Sequence, residues 1–598
     1  MKKIISFFVI SILFVACNSN NPDNVSSVKE PDKKLAAFFE QYHEDNLKLF
    51  PLNATFEGDN RYDDLLPADF TDSYRDSIRT FYERYLKELT AFDTSKLNDQ
   101  DKLSYSIFKY NLDVNIKGLA FHDNYIPLNQ FYGIQNTLGQ LAGGTGAQPF
   151  KTVEGYEKWI KRVAAFGIWA DSAVIYFRKG MESGIVLPKS LVVKIIPQMK
   201  AMVTDAGGYA KNLYYSPIAI LPASFSDADK KRLTDAYQKM VNENVVPIFA
   251  KLADFFQKEY LPKARTSSGI GAVPTGKEMY EYLVYQQTTT TETPDEIYNT
   301  GLAEVKRIRG LMDSVKNAVG FKGDLPAFFE YMKTDKKFMP YKTPQEVLNA
   351  FEAIHTKMGP NLKKMFNHVP KTKFEIRQTE AFRAASASAE YSQGTADGSR
   401  PGIFYIPILD AAKFNTTSGM ESLFLHEAIP GHHYQISLQQ EDISLPKFRR
   451  FGGQNAYVEG WALYCESLGK ELGLYTDPYQ YMGALGDEMH RAIRLVVDVA
   501  IHEKGMTREE AIKYMMDNEA ISEQGATAEI ERYMAIPGQA LGYKVGALKI
   551  REIRTKAEKE LGNKFNLADF HDQILKDGSM PLDLLEQKMD AWIKKIKG

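Results

Sequence analysis

Apolar side chains recur every three to four residues over most of this 598-residue chain. Such stripes occupy residues 35–47, 74–89, 159–177 and 245–256. A spacing of three to four residues places apolar side chains on one face of an α-helix. The pattern therefore predicts a mainly α-helical fold with a large multi-helix body, and no repeat of fixed period interrupts it.

One short segment has the composition of a β-strand. Gly402–Ile406 is rich in β-branched and aromatic residues, and it lies between Pro401 and Pro407. Proline next to a strand is typical of the edge of a sheet. We therefore predict a small β-sheet with this segment as an edge strand, beside the helix that follows.

Three segments rich in Gly, Thr and Ser are predicted to be loops: residues 142–148, 266–276 and 288–293. The second stretch is the best candidate for a domain boundary. It would separate an N-terminal helical half, residues 34–270, from a C-terminal half, residues 271–598, with a cleft between them.

The N-terminus predicts export. Two lysines precede an apolar run at residues 4–14, which is too short to span a bilayer. The run ends in FVAC, residues 14–17, which resembles the lipobox of bacterial lipoproteins with Phe14 in place of the preferred Leu. This resemblance implies a signal peptide at 1–16, lipidation of Cys17 and a polar tether at 17–33. An ordinary signal peptide with a chance cysteine is the alternative.

The predicted location is therefore the bacterial cell envelope, periplasmic or surface-exposed, with membrane contact through the lipid anchor only. Lys and Arg total 74 against 76 Asp and Glu, so charge gives no case for nucleic acid as a partner. The two cysteines, Cys17 and Cys465, predict no disulfide framework.

Candidate chemistry is concentrated in HEAIPGHH, residues 426–433, which holds three of the ten histidines. Ser418 and Glu421 form an S-x-x-E capping pattern, which predicts a helix over residues 419–429. The helix carries His426 and Glu427 near its end. In the H-E-x-x-H motif of zinc peptidases, two histidines four residues apart bind one ion and the glutamate acts as general base.

This sequence departs from that motif, because Pro430 occupies the expected ligand position. On an unbroken helix His432 would lie about 240° round from His426, and His433 about 10.5 Å further along. Proline and glycine at positions 430 and 431 disturb a helix, so a bend there could return His432 to the ion. The metal hypothesis thus requires a distorted helix. Capping or surface histidines at a helix end are the alternative.

A third ligand has to come from elsewhere, since zinc usually takes at least three protein ligands. Tyr457, Trp461, Tyr464 and Leu468 form an apolar stripe that predicts a helix. Glu459 and Glu466, seven residues apart, share another face of it. One of them could bind the ion with the other about two turns away; solvated helix glutamates are the alternative.

Residues 489–503 are predicted to form a further helix, on which His490, Arg494, Asp498 and His502 recur every four residues. Asp498 is a candidate for orienting a metal ligand, and Arg494 or His502 for facing substrate. A salt-bridged exposed face is the alternative.

Stabilising an oxyanion requires a nearby hydrogen-bond donor. Arg532, Tyr533 and Tyr543, which flank a Pro-Gly-Gln turn at residues 537–539, are the candidates.

Three segments together resemble a known family. HEAIPGHH, YVEGWALYCE (457–466) and RYMAIPGQALGYKVG (532–546) are similar to the bacterial domain-of-unknown-function family numbered 885. The resemblance covers most of the mature chain and is strongest over residues 397–546.

That family in turn resembles the helical zinc peptidases, the group of thimet oligopeptidase, carboxypeptidase Taq and angiotensin-converting enzyme. The resemblance implies one zinc ion held by His426, His432 and Glu459, with Glu427 as general base and His433 as the alternative to His432. It also implies hydrolysis of short peptides in a cleft, with an edge strand pairing with the substrate. A metal-dependent hydrolase of other amides or esters, or a non-catalytic lipoprotein that binds peptides, are the rival hypotheses. The oligomeric state stays open.

Overall fold

The computed structural model describes residues 30–144, 146–203, 208–379, 384, 388–395, 398, 400–417 and 419–598. The predicted signal peptide, Cys17 and most of the tether lie outside these residues, as does Ser418 of the predicted capping pattern.

Within the described residues α-helices dominate, which confirms the mainly α-helical prediction. Short 3-10 segments connect several of them, and π-helical turns at Val241–Val245 and Phe256–Tyr260 flank α9. The helices are α1 (Lys33–Leu49), α2 (Pro51–Glu57), α3 (Asp72–Leu89), α4 (Asp99–Gly118), α5 (Ile134–Ala142), α6 (Val153–Ser183), α7 (Lys189–Ala201), α8 (Asp227–Met240), α9 (Val246–Phe255), α10 (Gly276–Thr288), α11 (Pro294–Ala318), α12 (Leu325–Thr334), α13 (Pro344–Met365), α14 (Met420–Glu427), α15 (His432–Glu441), α16 (Lys447–Arg450), α17 (Asn455–Glu466), α18 (Pro478–His502), α19 (Arg508–Asn518), α20 (Glu523–Ala535), α21 (Leu541–Leu561), α22 (Leu567–Leu575) and α23 (Leu582–Lys597).

Local sequence accounts for many of the helix starts. Thr293 accepts a hydrogen bond from the Glu296 amide while the Glu296 carboxylate accepts one from Thr293, and Pro294 occupies the first turn of α11. Thr507 and Glu510 form the same reciprocal box at α19. These contacts satisfy amides that have no partner inside the helix.

The sheet has three strands, β1 (Phe374–Gln378), β2 (Glu390–Ser392) and β3 (Gly402–Ile406), in the order β1-β3-β2. β3 is parallel to β1, with Phe374 opposite Gly402, and antiparallel to β2, with Tyr391 opposite Phe404. The predicted strand therefore exists, but its predicted edge position is wrong. Pro401 and Pro407 lie just outside the ladder, so neither removes a donor that central pairing needs.

Two large hydrophobic cores hold the helices together. One draws on α6 to α9 together with α11, α18 and α20, and the other surrounds α13, α14, α17 and α21. The first core thus takes side chains from both sides of residue 270. None of the helices in the described part of the chain combines the length and apolarity that crossing a membrane would need.

Helices α17 and α21 cross unusually closely, at a pair of glycines. A Cβ on Gly460 would lie 2.5 Å from the Gly546 Cα, and one on Gly546 would lie 1.9 Å from the Ala456 carbonyl oxygen. Only glycine fits at this crossing. This close crossing holds α17, which carries both Glu459 and Glu466, against α21.

Candidate metal centre

The HEAIPGHH segment bends between two helices. Helix α14 ends at Glu427, the Ile429–Pro430 peptide is cis, and α15 begins at His432. The predicted distortion is therefore present. Trp461 on α17 donates a hydrogen bond from Nε1 to the Pro430 carbonyl oxygen at 2.9 Å, which ties the bend to the helix that carries Glu459.

Gly431 makes this bend possible. A Cβ at this position would lie 1.9 Å from the His426 carbonyl oxygen and 2.4 Å from that of Leu425. Both obstacles are backbone atoms, which cannot move aside without moving α14. Any larger residue at position 431 would push His432 away from His426.

Gly431→Ala is therefore expected to destabilise the protein by about 3 kcal/mol, as overpacking against fixed atoms does. Gly310→Ala is the matched control, since nothing lies within 4 Å of a Cβ there and its position is inside α11. Alanine at Gly310 should raise stability by roughly 0.5–1 kcal/mol. Thermal unfolding of the two variants measures both effects; equal melting temperatures would refute the role given to Gly431.

The bend brings three predicted ligands together. His426, His432 and Glu459 each offer one ligand atom, and these atoms all lie within 4.8 Å of one another. Glu459 Oε2 is 3.5 Å from His426 Nε2 and 3.6 Å from His432 Nε2. The two imidazole rings stand nearly perpendicular, at 87°.

The spacing suits a tetrahedral metal ion. Ligands bonded at about 2.0–2.1 Å around tetrahedral zinc lie about 3.3 Å from one another. The two observed contacts to Glu459 Oε2, 3.5 and 3.6 Å, are close to that value. Glu459 Oε2 is also buried and has no hydrogen-bond partner among the described residues. Two imidazoles and one carboxylate form a ligand set that zinc takes in catalytic sites.

The electrostatics of the cluster favour a positive charge. Burial lowers the pKa of His426, but its contacts with Glu459 and Glu466 outweigh burial and raise that pKa to about 10. Burial likewise raises the pKa of Glu459, yet the two imidazoles hold it well below its usual range. A divalent cation would satisfy the same carboxylate, with both imidazoles neutral.

Glu466 orients the first histidine. Its Oε1 lies 2.7 Å from His426 Nδ1, and both side chains are buried. A carboxylate on Nδ1 fixes the ring so that Nε2 points towards Glu459 and His432, an arrangement common around metal-binding histidines. The two glutamates of α17 thus lie at the two ring nitrogens of His426, Glu466 at Nδ1 and Glu459 at Nε2.

His433 is not part of the cluster. Its Nδ1 lies 3.0 Å from the Tyr391 hydroxyl and 3.4 Å from that of Ser437, and its ring packs 5.0 Å from Phe374. Burial lowers the pKa of His433 to about 4, so it stays neutral. The structure brings His432, rather than His433, to His426 and Glu459.

Glu427, the last residue of α14, contacts the edge strand β2 of the sheet. Its Oε2 accepts a hydrogen bond from the backbone amide of Tyr391, in β2, at 2.9 Å. The side chain is only partly buried. The predicted general base therefore directly follows the first predicted metal ligand, His426, in the chain, and β2 holds it. No local pattern could have indicated Tyr391, because its contact with Glu427 joins residues 36 positions apart.

Of the three predicted oxyanion donors, Tyr543 lies beside the cluster. Its ring stacks on that of His426 at 6.4 Å and 13°, and the Arg494 guanidinium covers it at 4.7 Å. Tyr533 is placed differently: its hydroxyl donates to Glu529 at 2.6 Å and accepts from Arg494 Nε at 2.9 Å. Arg532 donates to Gln539 Oε1 at 2.8 Å.

The polar stripe on α18 has mainly structural roles. Asp498 contacts neither His426 nor His432, contrary to prediction. It accepts hydrogen bonds from the Tyr280 hydroxyl at 2.7 Å and from the Gly538 amide at 3.0 Å. Burial raises the pKa of Asp498 to about 7. His502 is buried, and both of its ring nitrogens have backbone partners. Its Nδ1 accepts from the Ile270 amide and its Nε2 donates to the Tyr533 carbonyl. A four-residue repeat drifts round a helix by about 40° per step, so the stripe meets different neighbours along its length.

Comparison with known proteins places the chain in a family and a fold. A family model described as "Bacterial protein of unknown function (DUF885)" matches residues 51–589. A solved structure of a presumed lipoprotein from Colwellia psychrerythraea is similar at 27% identity and a TM-score of 0.86, covering 94% of this chain and 99% of that one. A presumed lipoprotein of unknown function from Shewanella oneidensis shares the fold at 20% identity and a TM-score of 0.71, over 93% and 99% of the two chains. No curated protein matches.

Proposed function

The chain belongs to DUF885, a bacterial family of unknown function, and from the site itself we propose that it is a zinc-dependent hydrolase that cleaves short peptides. The observation that carries the proposal is the buried, unpartnered Glu459 Oε2, with His426 Nε2 and His432 Nε2 at 3.5 and 3.6 Å. A partly buried glutamate, Glu427, directly follows the first ligand in the chain.

The catalytic roles follow from these positions. Zinc bound by His426, His432 and Glu459 would supply Lewis acidity and lower the pKa of a coordinated water to near 7. Glu427 would take a proton from the attacking water and return it to the leaving amine. The Tyr391 amide fixes one carboxylate oxygen of Glu427 and leaves the other for that proton transfer.

Tyr543 is the best placed donor for the oxyanion. Its ring, on α21, lies against that of His426, and the Arg494 guanidinium packs on the same tyrosine ring. A hydroxyl aimed at the developing negative charge stabilises the tetrahedral intermediate. Tyr533 is a weaker candidate, since Glu529 and Arg494 already engage its hydroxyl.

We further propose that the protein is anchored in the cell envelope by a lipid on Cys17. The FVAC sequence at residues 14–17 supports this, as does the similarity to presumed lipoproteins from two other bacteria. An anchored enzyme would act on peptides in the envelope or at its surface.

A mixed peptide library tests the activity. We expect the zinc-loaded protein to cleave library peptides, the chelator-treated protein to have lost the activity, and added zinc to restore it. Mass spectrometry of the products measures cleavage. Cleavage of small acyl esters without cleavage of any peptide would favour the rival hydrolase, and no turnover of either would favour a binding protein.

A further inference from the structure

A cavity of about 550 Å³ lies between the N-terminal helices α1, α2 and α4 on one side and α10 and the start of α17 on the other. Its size falls within the range of small-molecule and peptide-binding pockets, about 300–1,000 Å³. It is distinct from the metal ligands themselves, none of which lines it.

Two structural connections place this cavity next to the candidate metal centre. Asn455 lines it and lies one helical turn before Glu459 on α17, on the same face and about 6 Å away along the axis. Gln393 also lines it and follows Tyr391, whose amide holds Glu427, by two residues. The wall of the cavity therefore begins one helical turn from Glu459, a predicted metal ligand.

A third connection passes through α21. Asn455 Nδ2 donates to the Gln539 carbonyl oxygen at 2.9 Å. A Cβ on Gly542 would lie 2.4 Å from Asn455 Nδ2, so Asn455 packs directly against the residue that precedes Tyr543. The cavity wall and the predicted oxyanion donor are thus parts of one packed unit.

The lining of the cavity is polar but almost uncharged. Nine of its side chains are carboxamides of Asn or Gln, and most of the others are aromatic or small. Gln454 Nε2 donates to Asn111 Oδ1 at 2.7 Å across the cavity wall, which leaves the NH2 of Asn111 and the carbonyl oxygen of Gln454 for other partners. A carboxamide offers both a donor and an acceptor, as a peptide group does.

The His, Glu and Lys side chains in the wall have partners. His43 Nε2 lies 3.0 Å from Glu57 Oε2, and Lys447 Nζ lies 3.0 Å from Glu40 Oε2. A charged ligand group would therefore lose part of its hydration and would have to compete with these partners for an opposite charge. Such desolvation is costly, whereas an uncharged polar group can exchange water for the carboxamides.

We propose that this cavity binds uncharged residues of the peptide substrate on one side of the cleaved bond, and so selects peptides that carry no charge there. The proposal rests on the proposed peptidase function for its link to catalysis, but peptide binding in the cavity is measurable without turnover. Carboxamides bind the peptide backbone and neutral polar side chains, and the aromatic side chains accommodate apolar ones.

The test is a binding selection on the Glu427→Gln protein, loaded with zinc. It is incubated with a random heptapeptide library, and the retained peptides are sequenced by mass spectrometry. We expect a run of positions enriched in uncharged residues and depleted of Asp, Glu, Lys and Arg. Turnover by the wild-type protein is followed in parallel, so that loss of peptide binding and loss of hydrolysis are separate results.

Two nearly isosteric variants in the same background, Gln454→Glu and Asn111→Asp, place a negative charge in the cavity. Each should weaken binding of the selected neutral peptides by about tenfold and shift the enrichment towards Lys and Arg. Gln345→Glu, on the exposed face of α13, is the control and should change neither. The proposal is overturned if the cavity variants select the same peptides as this control, or if the zinc-loaded protein retains no peptide.

Discussion

Glu427→Gln is expected to lower kcat for peptide hydrolysis by about 10³-fold while zinc stays bound, because a general base contributes roughly 10²–10⁴-fold. Glutamine has nearly the same shape and its carbonyl oxygen can still accept the Tyr391 amide hydrogen bond. It cannot accept the proton of the attacking water. The fold and the metal ligands should therefore be intact in the variant, and the loss should appear in kcat.

The measurement combines peptide turnover with metal analysis of the same preparations. Glu330→Gln, an exposed position on α12, serves as the matched control and should keep full activity. If Glu427→Gln turned over peptide within a few-fold of the wild-type rate, Glu427 would not be the general base. Loss of zinc together with activity would instead assign this residue to metal binding.

The second large effect separates two neighbouring histidines. His432→Gln should weaken zinc binding by more than about 100-fold, since even residues that only support a ligand commonly change affinity by 10–100-fold. His433→Gln should leave zinc affinity within about twofold of wild type, because His433 contacts Tyr391 and Ser437 rather than the cluster. The two substitutions are chemically identical and one residue apart.

His433→Gln is nevertheless expected to destabilise the protein by about 1–3 kcal/mol, because a buried hydrogen bond is disturbed. Competition with a chromogenic zinc chelator gives the affinities, and thermal unfolding gives the stabilities. If His433→Gln lost zinc while His432→Gln retained it, the second ligand would be His433 and the geometry of the bend described above would be wrong.

Much of the candidate site could be predicted because its chemistry lies in short segments. The adjacent His426 and Glu427, the second histidine after a Pro-Gly pair, and two glutamates seven residues apart on one helix are all local patterns. The requirement for a bend followed from helix geometry alone, and the structure has the bend. The mainly α-helical fold followed from apolar periodicity in the same way.

Other features depend on contacts between distant segments. Nothing near Tyr391 in the sequence indicates that its amide would meet Glu427, and nothing near Glu466 specifies that it, rather than Asp498, would orient His426. The regular spacing of Asp498 and His502, both polar, predicts that they are site residues. Their partners include Gly538, in the turn before α21, and Ile270, at the start of a 3-10 turn before α10, and only the tertiary structure sets the positions of these turns.

The strand β3 shows a further limit. Its composition predicted a strand, and its two prolines suggested the edge of a sheet. Strand order depends on β1 and β2, which have weak patterns and pair with β3 from both sides. The consequence for the site is that β2, not β3, is the edge strand that contacts Glu427, through the Tyr391 amide.

Titration of metal-free protein with zinc tests the central claim most directly. Isothermal titration calorimetry of the wild-type chain should give a single tight site with one ion per chain. A Glu459→Gln variant, which lacks the carboxylate that both imidazoles face, should show that site weakened by more than about 100-fold. Wild-type protein that binds no zinc, or a site that Glu459→Gln leaves unchanged, would contradict the assignment of His426, His432 and Glu459 as a metal centre.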